Sequence, residues 1–360
     1  MKRLSLLLLL ALIWSTGSFA QDTTFTARIV DADTEETLPL VGIYISEENN
    51  TLTNFDGEFS IRCDSSDEVR ITCVGRQSIV LQAGQLPSVI KMQLLSSTLS
   101  EVTVTAVEGI LVQVARKMEK SYGKRRYKQA QYFYRQTSIF TQKQDIVEAF
   151  ITALSANNLR NMQFLTGRHG RLDQAAWNRS NIDDMNLHHL LEIGPLTKDA
   201  MFWRSLITPL PDGVYDDYGP HLRGNVLEMS SEEVSALSTG VGYLQHYYDI
   251  TMEQVDGDDQ HLYRFTFRQK EHAVTELPIM TGVLYVDRLT LSVLAFDGQV
   301  ENLKLRFGKG ELRSATVIPA TFDIHLDYRY DHKYPEVADL SAKAQFGDFQ
   351  TRTLLFNVEG

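Results

Sequence analysis

The chain reads as mostly β with some α. A small seven-stranded β-sandwich comes first, followed by an α+β domain built on a largely antiparallel, curved sheet. Three observations carry that reading. Apolar residues alternate with a period of two in short runs at both ends of the chain, the pattern of half-buried strands. Clusters of Gly, Asn, Asp and Pro separate those runs. Around residues 110–118, and again in the middle of the chain, the period changes to that of an amphipathic helix.

The first twenty residues read as an address. Lys2 and Arg3 precede an apolar stretch from Leu4 to Trp14, broken only by Ser5. Ser18-Phe19-Ala20 then fits the small-x-small pattern of a cleavage site. The expectation is a signal peptide over 1–20, cut before Gln21, and export to the periplasm or outer membrane. The stretch falls short of the ~20 residues of a membrane span, and no Cys follows the cut to carry a lipid. No later stretch reaches 18 consecutive apolar residues, so no transmembrane helix is expected in the mature chain.

Charge excludes some partners. The chain has 35 basic and 46 acidic residues, and removing Lys2 and Arg3 makes it more acidic still. Such a surface argues against nucleic acid, which is bound by cationic patches, and against electrostatic docking on anionic lipid.

Residues 21–104 alternate cleanly. Phe25, Ala27 and Ile29 make one strand, and Val41, Ile43 and Ile45 another, joined by a polar connection ending in Pro39. Asn54-Phe55-Asp56-Gly57 reads as a tight turn in which Gly supplies the positive φ and Asp bonds its own backbone. Phe59 to Cys63 and Val69 to Cys73 read as two arms of a hairpin. That pairing would set the two cysteines about four residue steps, roughly 13 Å, apart, too far for a disulfide. Both are read as small buried apolar residues. Ser78–Leu81 and Val89–Leu95 complete the set. Asp31 and Asp33 are too few convergent ligands for calcium.

Val30-Asp31, Leu38-Pro39-Leu40-Val41-Gly42, the run from Thr53 to Ile61, and Ile71 to Gly75 resemble the carboxypeptidase regulatory-like domain, a transthyretin-like sandwich. The strongest part is Thr53-x-x-Asp56-Gly57-x-Phe59; one departure is Ala27, where the family usually has Gly. The resemblance implies an accessory binding or spacer module and not a catalytic one. It is of the kind found in envelope proteins of the Bacteroidetes, where a transporter plug or other domain often follows.

The boundary is placed near residue 105, and 105–360 is read as the α+β domain. Ile110, Leu111, Val114 and Met118 form a helical stripe, with Lys117, Lys120, Lys124, Arg125 and Arg126 toward its C-terminal end, where cations suit the helix dipole. Tyr127–Thr141 and Asp145–Leu154 read as strands, and resemble an uncharacterised domain that follows the regulatory-like module. Short helices are expected over 183–191 and 197–206, and a loop over 209–223. From Tyr247 alternation returns, through 248–252, 263–267, 282–296, 299–307 and 320–330, with 346–358 closing the sheet. Strands in sequence without helices between them imply an antiparallel meander. Gly282–Asp287 and Leu294–Phe296 also resemble the curved sheets of periplasmic lipoprotein carriers.

Candidate chemistry is sparse. His188 and His189 are adjacent, so their side chains diverge on a helix. His325, Asp327, Asp331 and His332 gather at one strand, His325 and Asp327 on the same face. They could form a metal or acid–base site. The plainer reading, an exposed strand end with polar residues, is preferred because no HExxH or CxxC pattern supports a metal. Gly167-Arg168-His169-Gly170-Arg171 reads as a cationic loop before it reads as an anion cradle. No nucleophile elbow, P-loop or dinucleotide fingerprint occurs. No residue is therefore assigned a catalytic, cofactor-binding or metal role.

The expectation is a non-catalytic cell-envelope binding or scaffold protein whose partner is another envelope protein. The alternatives are a carrier holding an apolar or acyl ligand in the curved sheet, and a hydrolase with an unrecognised site. An exposed aromatic patch would favour the scaffold, an apolar cavity the carrier, and a pocket with a strongly perturbed His or carboxylate the enzyme.

Overall fold

The computed structural model describes residues 23–98, helical positions 107, 109–111, 113, 114 and 117, and residues 129–140, 143–155, 160–171, 248–270, 279–307, 316–331, 334–346 and 349–358. The signal segment, His188, His189, the expected helices over 183–206, the loop over 209–223 and His332 lie outside these residues.

The chain divides after Leu94 into two compact units. That is ten residues before the boundary read from the sequence. The reason is pairing: β8, Ser97–Thr98, adds to the second unit through Thr98 opposite Gln254 and Ser97 opposite Val255.

The first unit is a two-sheet sandwich of seven strands: β1 (Thr23–Asp31), β2 (Gly42–Tyr44), β3 (Asn50–Leu52), β4 (Glu58–Cys63), β5 (Glu68–Thr72), β6 (Ile79–Gln82) and β7 (Val89–Met92). One sheet runs β4-β1-β7, the other β3-β2-β5-β6. Only β1 and β7 pair in parallel. Alternation fills the space between the sheets with Ile29, Val41, Ile43, Phe59, Ile61, Val69, Ile71 and Met92. Burying a side chain of this size contributes roughly 1.5–3 kcal/mol.

The expected hairpin between residues 59–63 and 69–73 does not form. β4 pairs with β1, while β5 pairs with β2 and β6, so the connection at 64–67 crosses from one sheet to the other. The alternation of each strand is satisfied either way, because both inner faces meet the same core. No disulfide joins Cys63 and Cys73.

The turn at 54–57 differs in one detail. Asn54, not Asp56, organises it: Asn54 Oδ1 accepts the N–H groups of Asp56 and Glu58, both at 2.9 Å. Gly57 has φ 71°, and a Cβ there would stand 2.4 Å from the Ile29 carbonyl oxygen. Asp31 is consumed internally. Its Oδ1 accepts the N–H groups of Asp33 and Thr34 at 2.8 Å, and its Oδ2 takes Arg76 Nη1 at 2.6 Å. Burial works against its charge, but these donors hold its pKa down at about 2.

The second unit is built on one antiparallel sheet. Its strands are β8, β9 (Ala130–Phe140), β10 (Lys143–Ser155), β11 (Arg160–Arg171), β12 (Tyr248–Asp256), β13 (His261–Gln269), β14 (Ile279–Asp287), β15 (Val293–Phe307), β16 (Thr316–Asp331), β17 (Tyr334–Phe346) and β18 (Phe349–Asn357). Their order is β11-β10-β9-β18-β17-β16-β15-β14-β13-β12-β8. The run from β12 to β18 is an unbroken meander, and β9 joins it by pairing with β18. The sheet is curved, as a twisted open sheet of this width must be.

Three readings of this unit change. The turn expected after Phe296 lies at 288–292 instead, where Asp287 Oδ1 accepts the Thr290 N–H at 2.6 Å and Leu291 takes φ 56°. Gln299 is then interior to β15. Strand β17 was not expected at all. Residues 167–171, read as a loop, lie in β11, where Gly167 permits close approach: a Cβ would meet the Glu148 carbonyl oxygen at 2.6 Å.

The stretch over 107–117 is helical at its described positions. Val107, Leu111 and Val114 are buried, and Lys117 reaches Ser292 Oγ at 2.7 Å and the Thr290 carbonyl. No helix among the described residues is long and apolar enough to cross a membrane.

Candidate functional site

Register assigns the large sheet two unlike faces. On one, Met252, Phe265, Leu284, Phe296, Leu326, Leu340, Leu355, Tyr134 and Ala149 form a single cross-strand row from β12 to β10. Every one of them is buried. This face is core.

The other face carries the groups that can act. One row crosses seven strands: Ala295 on β15, Asp327 on β16, Asp339 on β17, Phe356 on β18, Phe133 on β9, Phe150 on β10 and Thr166 on β11. Its aromatic half is stacked. Phe133 meets Phe150 edge-on at 5.5 Å between centroids, with planes 69° apart, and meets Phe356 at 5.1 Å. Phe150 is 42% exposed, and Phe133 and Phe356 are half-buried. Ile139, also exposed, belongs to the same face of β9. Aromatic rings left partly exposed beside one another are an unusual use of apolar area.

The acidic half centres on His325. Its Nδ1 bonds the Asp297 carboxylate and its Nε2 bonds Asp327 Oδ2 at 3.0 Å. Burial disfavours its charge, but the two carboxylates win and hold the imidazole protonated well above its usual range. Both ring nitrogens therefore donate, and neither is free to accept a proton. That arrangement is poor for general base catalysis, which needs an imidazole nitrogen open to the reacting group. Asp327 Oδ1 is buried without a hydrogen-bond partner among the described residues. Across the ladder stands Asp339, whose pKa burial and the Asp327 charge push up to about 7, against the pull of His325 and Arg329.

The sequence placed His325 and Asp327 on one face, and the structure brings them together. It does not leave them at an exposed strand end. His325 is interior to β16, with its side chain only 15% exposed. The third member is Asp297, directly opposite His325 on β15, and not Asp331, which ends β16 at another position. No trio of His, Cys, Asp or Glu among the described residues is arranged to hold a metal ion.

Sequence reasoning missed the aromatic row. A signal was present in Tyr132-Phe133-Tyr134: three consecutive aromatics in a strand must send one to the face opposite the other two. Tyr132 and Tyr134 are buried in the core, so Phe133 points out.

No protein-family model matches the chain, and comparison with curated proteins and with solved structures returns no significant match. The function is therefore argued from the geometry of this sheet.

Proposed function

We propose that the chain is a non-catalytic binding or scaffold protein of the cell envelope, and that the Phe150–Phe133–Phe356 row is where its polypeptide partner docks. The observation that carries this is the row itself: three rings in contact across β10, β9 and β18, half-buried or exposed. Aromatic side chains dominate the buried centres of protein interfaces.

The residues pointing to export support the location, and the sandwich fits the accessory role that the carboxypeptidase regulatory-like resemblance implies. His325 is held as a cation between two carboxylates, which favours binding over catalysis.

Native mass spectrometry on the protein purified gently from its own envelope tests the proposal. The expected spectrum shows the chain with a second polypeptide, lost when Phe133 and Phe150 are both changed to Ser. An added mass that extracts into organic solvent would make the protein a carrier instead.

A further inference from the structure

The aromatic row runs out to an edge of the sheet. Phe150 on β10 is directly opposite Thr166 on β11, and β11 ends the strand order. Among the described residues no strand pairs with its outer side. An antiparallel edge strand aims the N–H and C=O of alternate residues away from its neighbour. β11 is twelve residues long, so about half of them offer their backbone to a further strand. The β10–β11 register shifts beside the row. Thr166 is opposite Phe150 and Phe164 is opposite Ile151, which leaves Leu165 as the extra residue of a bulge. Leu165 is 53% exposed. Six regular pairs follow it, from Thr166 to Arg171.

This edge is cationic. β11 carries Arg160, Arg168 and Arg171 and no carboxylate. The acids of β10 do not cancel them. Asp145 is opposite Arg171 and Glu148 is opposite Arg168, but Glu148 also pairs with Arg135 of β9 at 3.5 Å. With Lys143 of β10, the three outermost strands hold five cations and two acids. The whole chain, by contrast, has 35 basic and 46 acidic residues. A second copy is a poor occupant of the edge. β11 laid on its own copy sets Arg only against Arg or against uncharged residues, whatever the register, and like charges directly opposite are destabilising.

Resting on the docking proposal above, we propose that the polypeptide partner adds an extended, acidic strand to β11, with an apolar residue at its centre beside Leu165 and Phe150. Main-chain hydrogen bonds to the edge supply affinity, and the side chains set the choice of partner. Acids on either side of the apolar residue meet Arg160 at one end and Arg168 and Arg171 at the other. In the row Arg135, Glu148, Arg168, such a strand continues the alternation of charge, so that cation, acid, cation and acid follow one another across four strands. A basic segment is refused by charge, and a segment without backbone N–H groups cannot complete the ladder.

The probes are three fluorescein-labelled peptides of equal length, titrated against the purified chain by fluorescence polarisation while near-UV circular dichroism reports the fold. The first has Leu at its centre, Thr and Val around it and Glu at both ends. The second has Lys in place of Glu. The third is the first with its backbone nitrogens methylated. The first should bind, and the other two should bind at least roughly tenfold more weakly. Arg160→Gln/Arg168→Gln should narrow the difference between the Glu and Lys peptides, and Phe150→Ser should weaken the Glu peptide. Equal affinity for the first and third peptides, with Phe150→Ser still weaker, would overturn strand addition and leave docking on the aromatic row intact. Affinity for the first peptide that Phe150→Ser does not change, with the third still weak, would overturn the aromatic row as the docking surface and leave the edge. No binding of the first peptide, or equal binding of the first and second, would overturn the acidic strand.

Discussion

Asp339 lies directly opposite Asp327 on the β16–β17 ladder, at the last regular pair before the bulge that sets Tyr328 against Val337. Like charges so placed are destabilising. His325 neutralises one of the two, and its second nitrogen is already spent on Asp297. The sheet therefore carries one carboxyl whose pKa is pushed up to about 7.

Stability should follow that carboxyl. Its folded pKa, about 7, lies above the unfolded value near 3.8, so the folded state holds the proton more tightly. Stability is then greatest at the acid side of this window and falls as pH rises toward 7. Asp339→Asn removes the loss. At pH 8 it should stabilise the chain by about 1–3 kcal/mol, read by urea denaturation, and near pH 4 it should change little.

His325 is the keystone of the charge cluster. His325→Gln leaves Asp297 and Asp327 facing each other without a cation. It should cost ~3–5 kcal/mol in chemical denaturation. Adding Asp327→Asn to the same chain should recover part of that, because the orphaned buried charge is gone. Since the raised pKa of His325 favours the protonated folded state, its contribution is complete below about pH 6.5 and fades only as pH climbs through the higher folded value.

In the first unit, Arg76→Met should be costly. Asp31 would be left buried with its two backbone donors and no cation. A loss of ~2–4 kcal/mol is expected in denaturant titration. The sign with pH is opposite to that of Asp339. The folded pKa of Asp31 is depressed to about 2, so its contribution is full above about pH 4 and is lost as pH falls toward 2. Asp31→Asn should flatten that acid limb.

Gly57→Ala tests the turn between β3 and β4. The positive φ and the nearby Ile29 carbonyl both oppose a Cβ. The expected loss is above ~1 kcal/mol, with the melting temperature as readout. Asp56→Ala should be mild by comparison, because Asn54 makes the bonds that hold the turn.

Much of this fold was legible residue by residue. Alternation marks β1, β4 and β5, and it marks β12, β13 and β16, because each strand buries alternate residues or nearly so. Pairing was less legible, since alternation says which face is inside and not which neighbour lies beside it. β4 and β5 are adjacent in sequence and sit in different sheets for that reason. β17 escaped notice because Pro335 stands at its start, Ala fills its centre and a bulge breaks its period. The site divides the same way. The two-residue step from His325 to Asp327 is visible in the sequence, but Asp297 joins them only through the β15–β16 register. Phe133, Phe150 and Phe356 are separated by up to 223 positions, and only two strand pairings, β9 with β10 and β9 with β18, make them one surface.

The docking surface is tested most directly by a photoreactive benzoylphenylalanine placed at position 150, and separately at the exposed position 68 of the first unit, in cells carrying the intact protein. The account predicts a discrete cross-linked polypeptide from position 150 that is absent from position 68 and lost when Phe133 is changed to Ser. Cross-linking that is equal at the two positions, or none at position 150, would contradict it.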